Sequence, residues 1–333
     1  MKIVALGQAL IHEPVSWPED LRDRLKDADA VICNFEGCLP APGATPMKSK
    51  TLHAAHPQAL EMLRDLGVTH LALANNHSWD FGHSGLLETR AHARAAGFAV
   101  AGVGASLAEA SAPATKGGVA LLSVDAGPTP DWAIAGTGPG VASLRLNLRL
   151  GLPQTDLDRL REISRITGTQ AQEQRRIEVG FDRARDTQDF YGLALTLADT
   201  PQEVWTPNAA DCARLIADIA HARRHADRVL VALHYHHWAS DWSRPPDWLS
   251  PLGHQILRAG ADAVLCTGPP FAYPVEHIGP GLLAPSLGNL VFHTRRAATY
   301  DRLRLPVWTG MVLTWVSGTW TSFEIEALRP SAQ

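Results

Sequence analysis

Two short segments gather the side chains best equipped for chemistry. One is Asn75-Asn76-His77-Ser78-Trp79-Asp80 and the other is His234-Tyr235-His236-His237-Trp238. Each begins where a short apolar run stops: His70 to Ala74 in the first case, Arg228 to Leu233 in the second. A third polar group, Asn34-Phe35-Glu36-Gly37, closes the run that starts at Ala30. Imidazole nitrogen and carboxylate oxygen, with an asparagine carbonyl as a weaker donor, form a ligand set suited to Zn, Mn or Fe. Imidazole also gives or takes a proton near neutral pH. Along an extended chain His234 and His236 point to one face and His237 to the other, so at most two of the three serve one site. The chain carries 15 histidines. Of these, His77, His234, His236 and His237 lie just past predicted strands, and His12, His53 and His56 are within reach of the same region. His70, His92, His221, His225, His254 and His277 read as surface or satisfied core residues. Trp79, Trp238, Trp242 and Trp248 flank the histidine-rich segments, where they either wall a pocket or pack in the core.

These groups can meet only if the strands that carry them run side by side. Apolar runs at Lys2 to Gly7, Ala30 to Phe35, His70 to Ala74, Phe98 to Ala101, Val119 to Val124, Arg228 to Leu233 and Ala263 to Cys266 read as strands. Helical patterns at Leu21 to Lys26, Pro57 to Leu66, Gly85 to Ala96, Ala209 to Arg224 and Leu249 to Ala259 alternate with them, which is the rhythm of βαβ units. In such sheets ligands collect at the carboxyl ends of the strands. Near the end of the chain, Gly281 to Phe292, Val307 to Val316 and Thr319 to Ala327 read as strands without helices between them. Ser317-Gly318 marks a hairpin turn. Residues 144–206 break the rhythm: they mix both charge signs, and Leu157, Leu160, Ile163 and Ile166 predict one amphipathic helix. The expectation is a single domain spanning 1–333 with a charged helical insertion at 144–206, either a solvated excursion or a cap over an anionic substrate.

Composition narrows the classes. Apolar residues make up 45%, charged residues 19%, and the formal net charge is -4. That profile is globular, with no basic field to attract nucleic acid. No run reaches the ~18 apolar residues of a membrane span, and Met1 to Ile11 reads as a strand, not a signal peptide. The expected location is the cytoplasm. Cys33, Cys38, Cys212 and Cys266 include no CxxC pair, so free thiols are expected. Gly102-Val103-Gly104 lacks the rest of a dinucleotide fingerprint, and neither a phosphate-binding loop nor a Gly-x-Ser-x-Gly elbow occurs.

With these motifs in order, the sequence resembles the CapA family, which is named for poly-γ-glutamate capsule biosynthesis and belongs to the calcineurin-like metallophosphoesterase superfamily. The resemblance is carried by Asn34-Phe35-Glu36-Gly37, Ala74-Asn75-Asn76-His77-Ser78-Trp79-Asp80-Phe81-Gly82, Gly102-Val103-Gly104, Leu233-His234, Gly260-Ala261-Asp262-Ala263-Val264 and Ser286-Leu287-Gly288-Asn289-Leu290-Val291-Phe292. It spans nearly the whole chain outside Leu144 to Thr206. It implies an α/β fold, a calcineurin-like metallophosphatase β-sandwich flanked by helices. It further implies that Glu36 takes the place of a bridging carboxylate, that Asn76 and His234 are metal ligands, and that His77 protonates a leaving group. Three expected ligands are absent. Gly7-Gln8 stands where the family has Gly-Asp, and Thr267 and Pro270 stand where it has two histidines.

The resulting expectation is a hydrolase dependent on a divalent metal (Mn, Zn or Fe). The metal is assigned to Glu36, Asn76, His234 and His236. His77 is the acid, with Asp80 orienting it, and Gln8, Asn75, His237, Thr267 and Asn289 surround the substrate. The bond cleaved is a phosphoester or an amide such as a γ-glutamyl bond, in a small molecule or short polymer, with no nucleic-acid or membrane partner. The alternatives are a non-catalytic ligand-binding protein on an eroded scaffold, or a component of poly-γ-glutamate capsule synthesis.

Overall fold

The Lys2–Leu10 strand is buried along almost its whole length because strands flank it on both sides. The computed structural model describes residues 1–49, 51–183 and 189–331. Among these, Lys2–Leu10 pairs in parallel with Ala30–Phe35, which continues through His70–Ala72 to Ala99–Ala101. On its other side, residues Lys2 to Ala5 pair antiparallel with Thr309–Val316, and Gln8 to Leu10 pair in parallel with Asn289–Phe292. A second sheet runs in the order Glu276–Ile278, Gly281–Ala284, Ala263–Thr267, Arg228–His234, Val119–Asp125, Ala114–Lys116. Its inner strands are parallel.

Alternation along the strands assigns the two faces. Ile3, Ala5 and Ile32 of the first sheet share one apolar cluster with Leu121, Leu230 and Leu265 of the second. Val4, Leu6, Val31 and Cys33 point the other way and pack with Leu21, Leu63 and Leu86, which belong to the helices Glu19–Leu25, Ala59–Asp65 and Gly82–Ala95. A strand covered on both faces needs apolar residues at both parities, which is why these segments read as unbroken apolar runs. Each fully buried Val, Leu or Ile adds roughly 1.5–3 kcal/mol.

Three expectations are corrected. The run Gly281 to Phe292 is not one strand: Gly281–Ala284 lies in the second sheet and Asn289–Phe292 in the first. Pro285 and Gly288, the latter at φ +62°, interrupt it, and Ser286 Oγ accepts from the Gly288 N–H at 3.1 Å. A short helix, Ala297–Arg302, separates it from the final hairpin, whose turn is Ser317-Gly318 as predicted. The 144–206 region is mixed rather than helical.

All of that region but Leu144 and Arg145 lies in a second compact unit, Leu146–Asn208; the first unit comprises Met1–Arg145 and Ala209–Gln333. Residues 184–188 lie outside the described residues. The smaller unit holds the expected helix, Gln154–Ile166, then Thr169–Glu178, and a sheet ordered Asp189–Phe190, Leu193–Leu197, Leu146–Leu152, Gln202–Pro207. Leu152, Leu157 and Leu195 form its core. In the first unit, Arg145 grips Asp211 in a bidentate pair, Nε to Oδ2 at 2.7 Å and Nη2 to Oδ1 at 3.0 Å.

Candidate metal centre

The carboxyl ends of strands from both sheets meet at one place. Asn34, near the end of Ala30–Phe35, donates from Nδ2 to Thr267 Oγ1 at 3.1 Å and lies 3.2 Å from His234 Nδ1. Thr267 and His234 end neighbouring strands of the second sheet. His234 is thereby held by its Nδ1 edge, and its Nε2 is turned toward three other groups. It lies 3.1 Å from His236 Nε2, 2.9 Å from Asn76 Oδ1 and 4.0 Å from Glu36 Oε1. His236 Nε2 is 3.2 Å from the same Asn76 oxygen. One ligand atom each from Glu36, His234 and His236 lies within 4.8 Å of the others. The chain leaves strand geometry after His234, yet His234 and His236 still share a side, while His237 faces the Ala126 carbonyl at 2.8 Å.

Glu36 is buried, and its Oε2 has no hydrogen-bond partner among the described residues. Burial pushes its carboxyl up to about 8; Lys48 lowers it, and Asp80 and Asp125 raise it further. Burial also holds His234 and His77 well below the ordinary imidazole value and His236 down at about 4. Near pH 7 these imidazoles are neutral and offer lone pairs. With its carboxyl at about 8, Glu36 is mostly protonated near pH 7, and a buried carboxyl oxygen without a partner is costly in either state. A divalent cation among Glu36, Asn76, His234 and His236 would supply the missing partner, and the donor chemistry suits one.

Beside this cluster lies a buried dyad. His77 Nδ1 is 2.8 Å from Asp80 Oδ2, and His77 Nε2 is 3.9 Å from Glu36 Oε1. Asp80 Oδ2 also accepts the His53 N–H at 2.7 Å, and Oδ1 pairs with Lys48 Nζ at 2.6 Å. Lys48 donates to the Asn76 carbonyl and sits 4.0 Å above the Trp79 ring. The His53 ring packs against His77 at 3.9 Å between centroids, and its Nδ1 lies 3.1 Å from His12 Nε2. Burial, with His77 and His12 nearby, drives His53 down to about 2. A cleft of about 370 Å³ opens onto Glu36, Asn76, His77 and His236, with Lys48 and Trp238 in its walls.

Among the residues expected around a substrate, Gln8 lines this cleft. Asn75, Thr267 and Asn289 lie behind it, almost wholly buried, with their polar atoms bonded to the protein. Asn75 donates to Phe35 O at 2.8 Å and accepts the His77 N–H at 3.0 Å, which shapes the Asn76-His77 turn. His237 is turned to Ala126, and His56 caps the Gln58 N–H instead of reaching the cluster. Sequence reasoning missed Lys48 and Asp125. Asp125 could have been found, because it ends the Val119–Asp125 strand in register with His234. It accepts from the Gly127 N–H at 2.8 Å and the Thr129 hydroxyl, and burial raises it to about 6. Lys48 sits in an irregular loop and gave no signal.

This arrangement falls in the region, residues 4–294, that matches the family model of the bacterial capsule synthesis protein PGA_cap. The chain belongs to the PGA_cap family. The expected resemblance to CapA proteins is therefore borne out. An uncharacterized protein of Sinorhizobium fredii, y4sH, is 29% identical over 273 residues, which cover 78% of this chain and 55% of that protein. A Mycobacterium tuberculosis protein named as a probable polyglutamine synthesis accessory protein is 33% identical over 125 residues, covering 35% of this chain and 33% of that one. The alignment thus spans about half the length of the Sinorhizobium relative. Among the described residues of this PGA_cap member, no helix is long and apolar enough to cross a membrane.

Proposed function

We propose that this chain is a hydrolase dependent on a divalent metal, cleaving a phosphoester or an amide such as a γ-glutamyl bond in a small molecule or short polymer. The observation that carries this reading is the buried Glu36 Oε2, without a hydrogen-bond partner among the described residues and beside neutral His234, His236 and Asn76. A cation bound there would polarise the scissile group and lower the pKa of water. The protein's own groups supply the rest. His77 presents Nε2 to the cleft while Asp80 accepts the hydrogen bond from its Nδ1–H and so fixes the tautomer. With Nε2 unprotonated at rest, His77 would accept a proton from the attacking water and then deliver it to the leaving group as the scissile bond breaks. Lys48 ties Asp80 to the Asn76 backbone and keeps acid and ligand in one frame.

The calcineurin-like architecture and the capsule link belong to the same reading, supported by PGA_cap membership and by the accessory-protein relative. A second reading, a ligand-binding protein without turnover, is favoured by the uncharged Gln8 and Thr267 beside the cluster. A screen of phosphoesters and γ-glutamyl amides with added Mn, run on the intact chain and on Glu36→Ala, separates the two. Turnover that Glu36→Ala abolishes supports the hydrolase. Binding without turnover supports the second reading. Absence of bound metal together with an inert Glu36→Ala substitution rejects the first.

A further inference from the structure

The cluster has two flanks, and they differ in kind. On one flank Glu36, Asn76, His234 and His236 bring lone pairs together around an unpartnered carboxylate oxygen. On the other, the polar atoms are already joined to one another. Gln8 Oε1 accepts the Gly268 N–H at 2.9 Å, and its Nε2 donates to Asn289 Oδ1 at 2.8 Å. Asn289 Nδ2 donates to the carbonyls of Pro270 and Val307, both at 2.8 Å. Thr267 Oγ1 is held by Asn34 and lies 3.0 Å from His234 Nδ1.

The backbone locks this flank. A Cβ on Gly7 would lie 2.3 Å from Gly288 O, so only glycine lets the two segments pass this close, and the Gln8 N–H bonds that same carbonyl at 3.0 Å. Charge points the same way. Glu36 is the one carboxylate in the cluster. Asp80 is paired with Lys48, and Asp125 is occupied by Gly127 and Thr129. One dication on Glu36 and neutral donors leaves a local charge of about +1, with the buried Asp125 nearby; a second would raise it by a further +2 beside the Lys48 ammonium, with no additional carboxylate among the ligand atoms.

Building on the metal-dependent reading above, we infer that the centre holds a single divalent cation on Glu36, Asn76, His234 and His236, and that the Gln8–Asn289–Thr267 flank is closed to a second. Gln8 is a structural link that stitches Gly268 to Asn289 and is not a ligand.

The test uses the full chain, stripped with chelator and reloaded with Mn²⁺ or Zn²⁺, with ions per chain counted by native mass spectrometry and elemental analysis. One ion per chain is expected, with the six-line electron paramagnetic resonance spectrum of an isolated Mn²⁺. His236→Ala, checked for folding by circular dichroism, is expected to weaken Mn²⁺ binding at least tenfold. Gln8→Ala should leave both the count and the affinity within about threefold. Two ions, or an exchange-coupled Mn²⁺ spectrum, overturn the single-ion assignment while the metal-dependent reading stands. A tenfold loss in Gln8→Ala places Gln8 among the ligands and also overturns the assignment. No binding at millimolar Mn²⁺ or Zn²⁺ removes the metal-dependent reading itself.

Discussion

The two compact units put their polar residues to opposite uses. In the larger unit Gln8, Asn34, Asn75, Thr267 and Asn289 are each at most 4% exposed, and every one is tied to named partners across distant parts of the chain. In the unit 146–208 the polar residues form short-range pairs on helix surfaces, such as Asp158 with Arg161 and Glu162 with Arg165. Buried polar groups cost free energy unless satisfied, so a network of them admits one geometry. Exposed pairs are screened by water and constrain little. The larger unit is built to hold atoms in place; the smaller one is built around three leucines and a solvated surface.

Breaking the larger unit should have the greatest effect. Gly268 stands at φ +114°, and a Cβ there would lie 1.9 Å from Tyr235 O. Gly268→Ala is expected to cost more than about 4 kcal/mol or to prevent soluble folding, read by urea denaturation. A cost under about 1 kcal/mol would show a pliable strand end and dissolve the contrast. Leu157→Ala, in the core of the smaller unit, should cost about 2–3 kcal/mol. Hydrogen exchange should show the loss confined to 146–208. Equal loss of protection along Lys2–Leu10 would mean that the units unfold together.

A smaller effect tests the Arg145–Asp211 pair. Burial pushes the Asp211 carboxyl up, but the hydrogen bonds and charges of Arg145 and Arg214 outweigh it and hold the group below its ordinary value. A carboxylate lowered in the folded state adds stability above its unfolded pKa of about 4, and loses that contribution as pH falls through the folded value. Asp211→Asn should therefore cost roughly 1–2 kcal/mol at pH 7, and the gap from the native chain should close as pH falls below the ordinary carboxylate range. A gap that stays constant across this range would rule out the ionic pair as its source. Smallest of all, Glu162→Ala should leave the thermal midpoint unchanged, since its pair with Arg165 is fully exposed.

Much of the larger unit was legible because both faces of its strands are covered and its helices are amphipathic. Glu36, Asn76, His234 and His236 came into view because they lie at or just past strand ends, where parallel sheets present ligating groups, and the family resemblance singled out Glu36, Asn76 and His234 among the polar residues there. The rest depended on long-range packing. Lys48 reaches Asp80 from a loop without periodicity, and His53 reaches His77 the same way. Asn75 looked like a binding residue by composition, yet its amide is consumed by the turn that aims its neighbours. In 146–208 the alternating Leu146-Asn147-Leu148-Arg149-Leu150-Gly151-Leu152 does signal a strand. The surrounding charge, and the helical spacing of Leu157, Leu160, Ile163 and Ile166, masked it.

Leu146 pairs with Pro207 across an antiparallel ladder, and just outside this pair Arg145 clasps Asp211. The chain therefore departs from the larger unit and returns to it at neighbouring points. Closing a loop of this kind grows more costly only with the logarithm of its length. Joining Arg145 to Ala209 directly would therefore ask the larger unit to close only a short gap. The PGA_cap core can be regarded as a host, and 146–208 as a guest with one doorway.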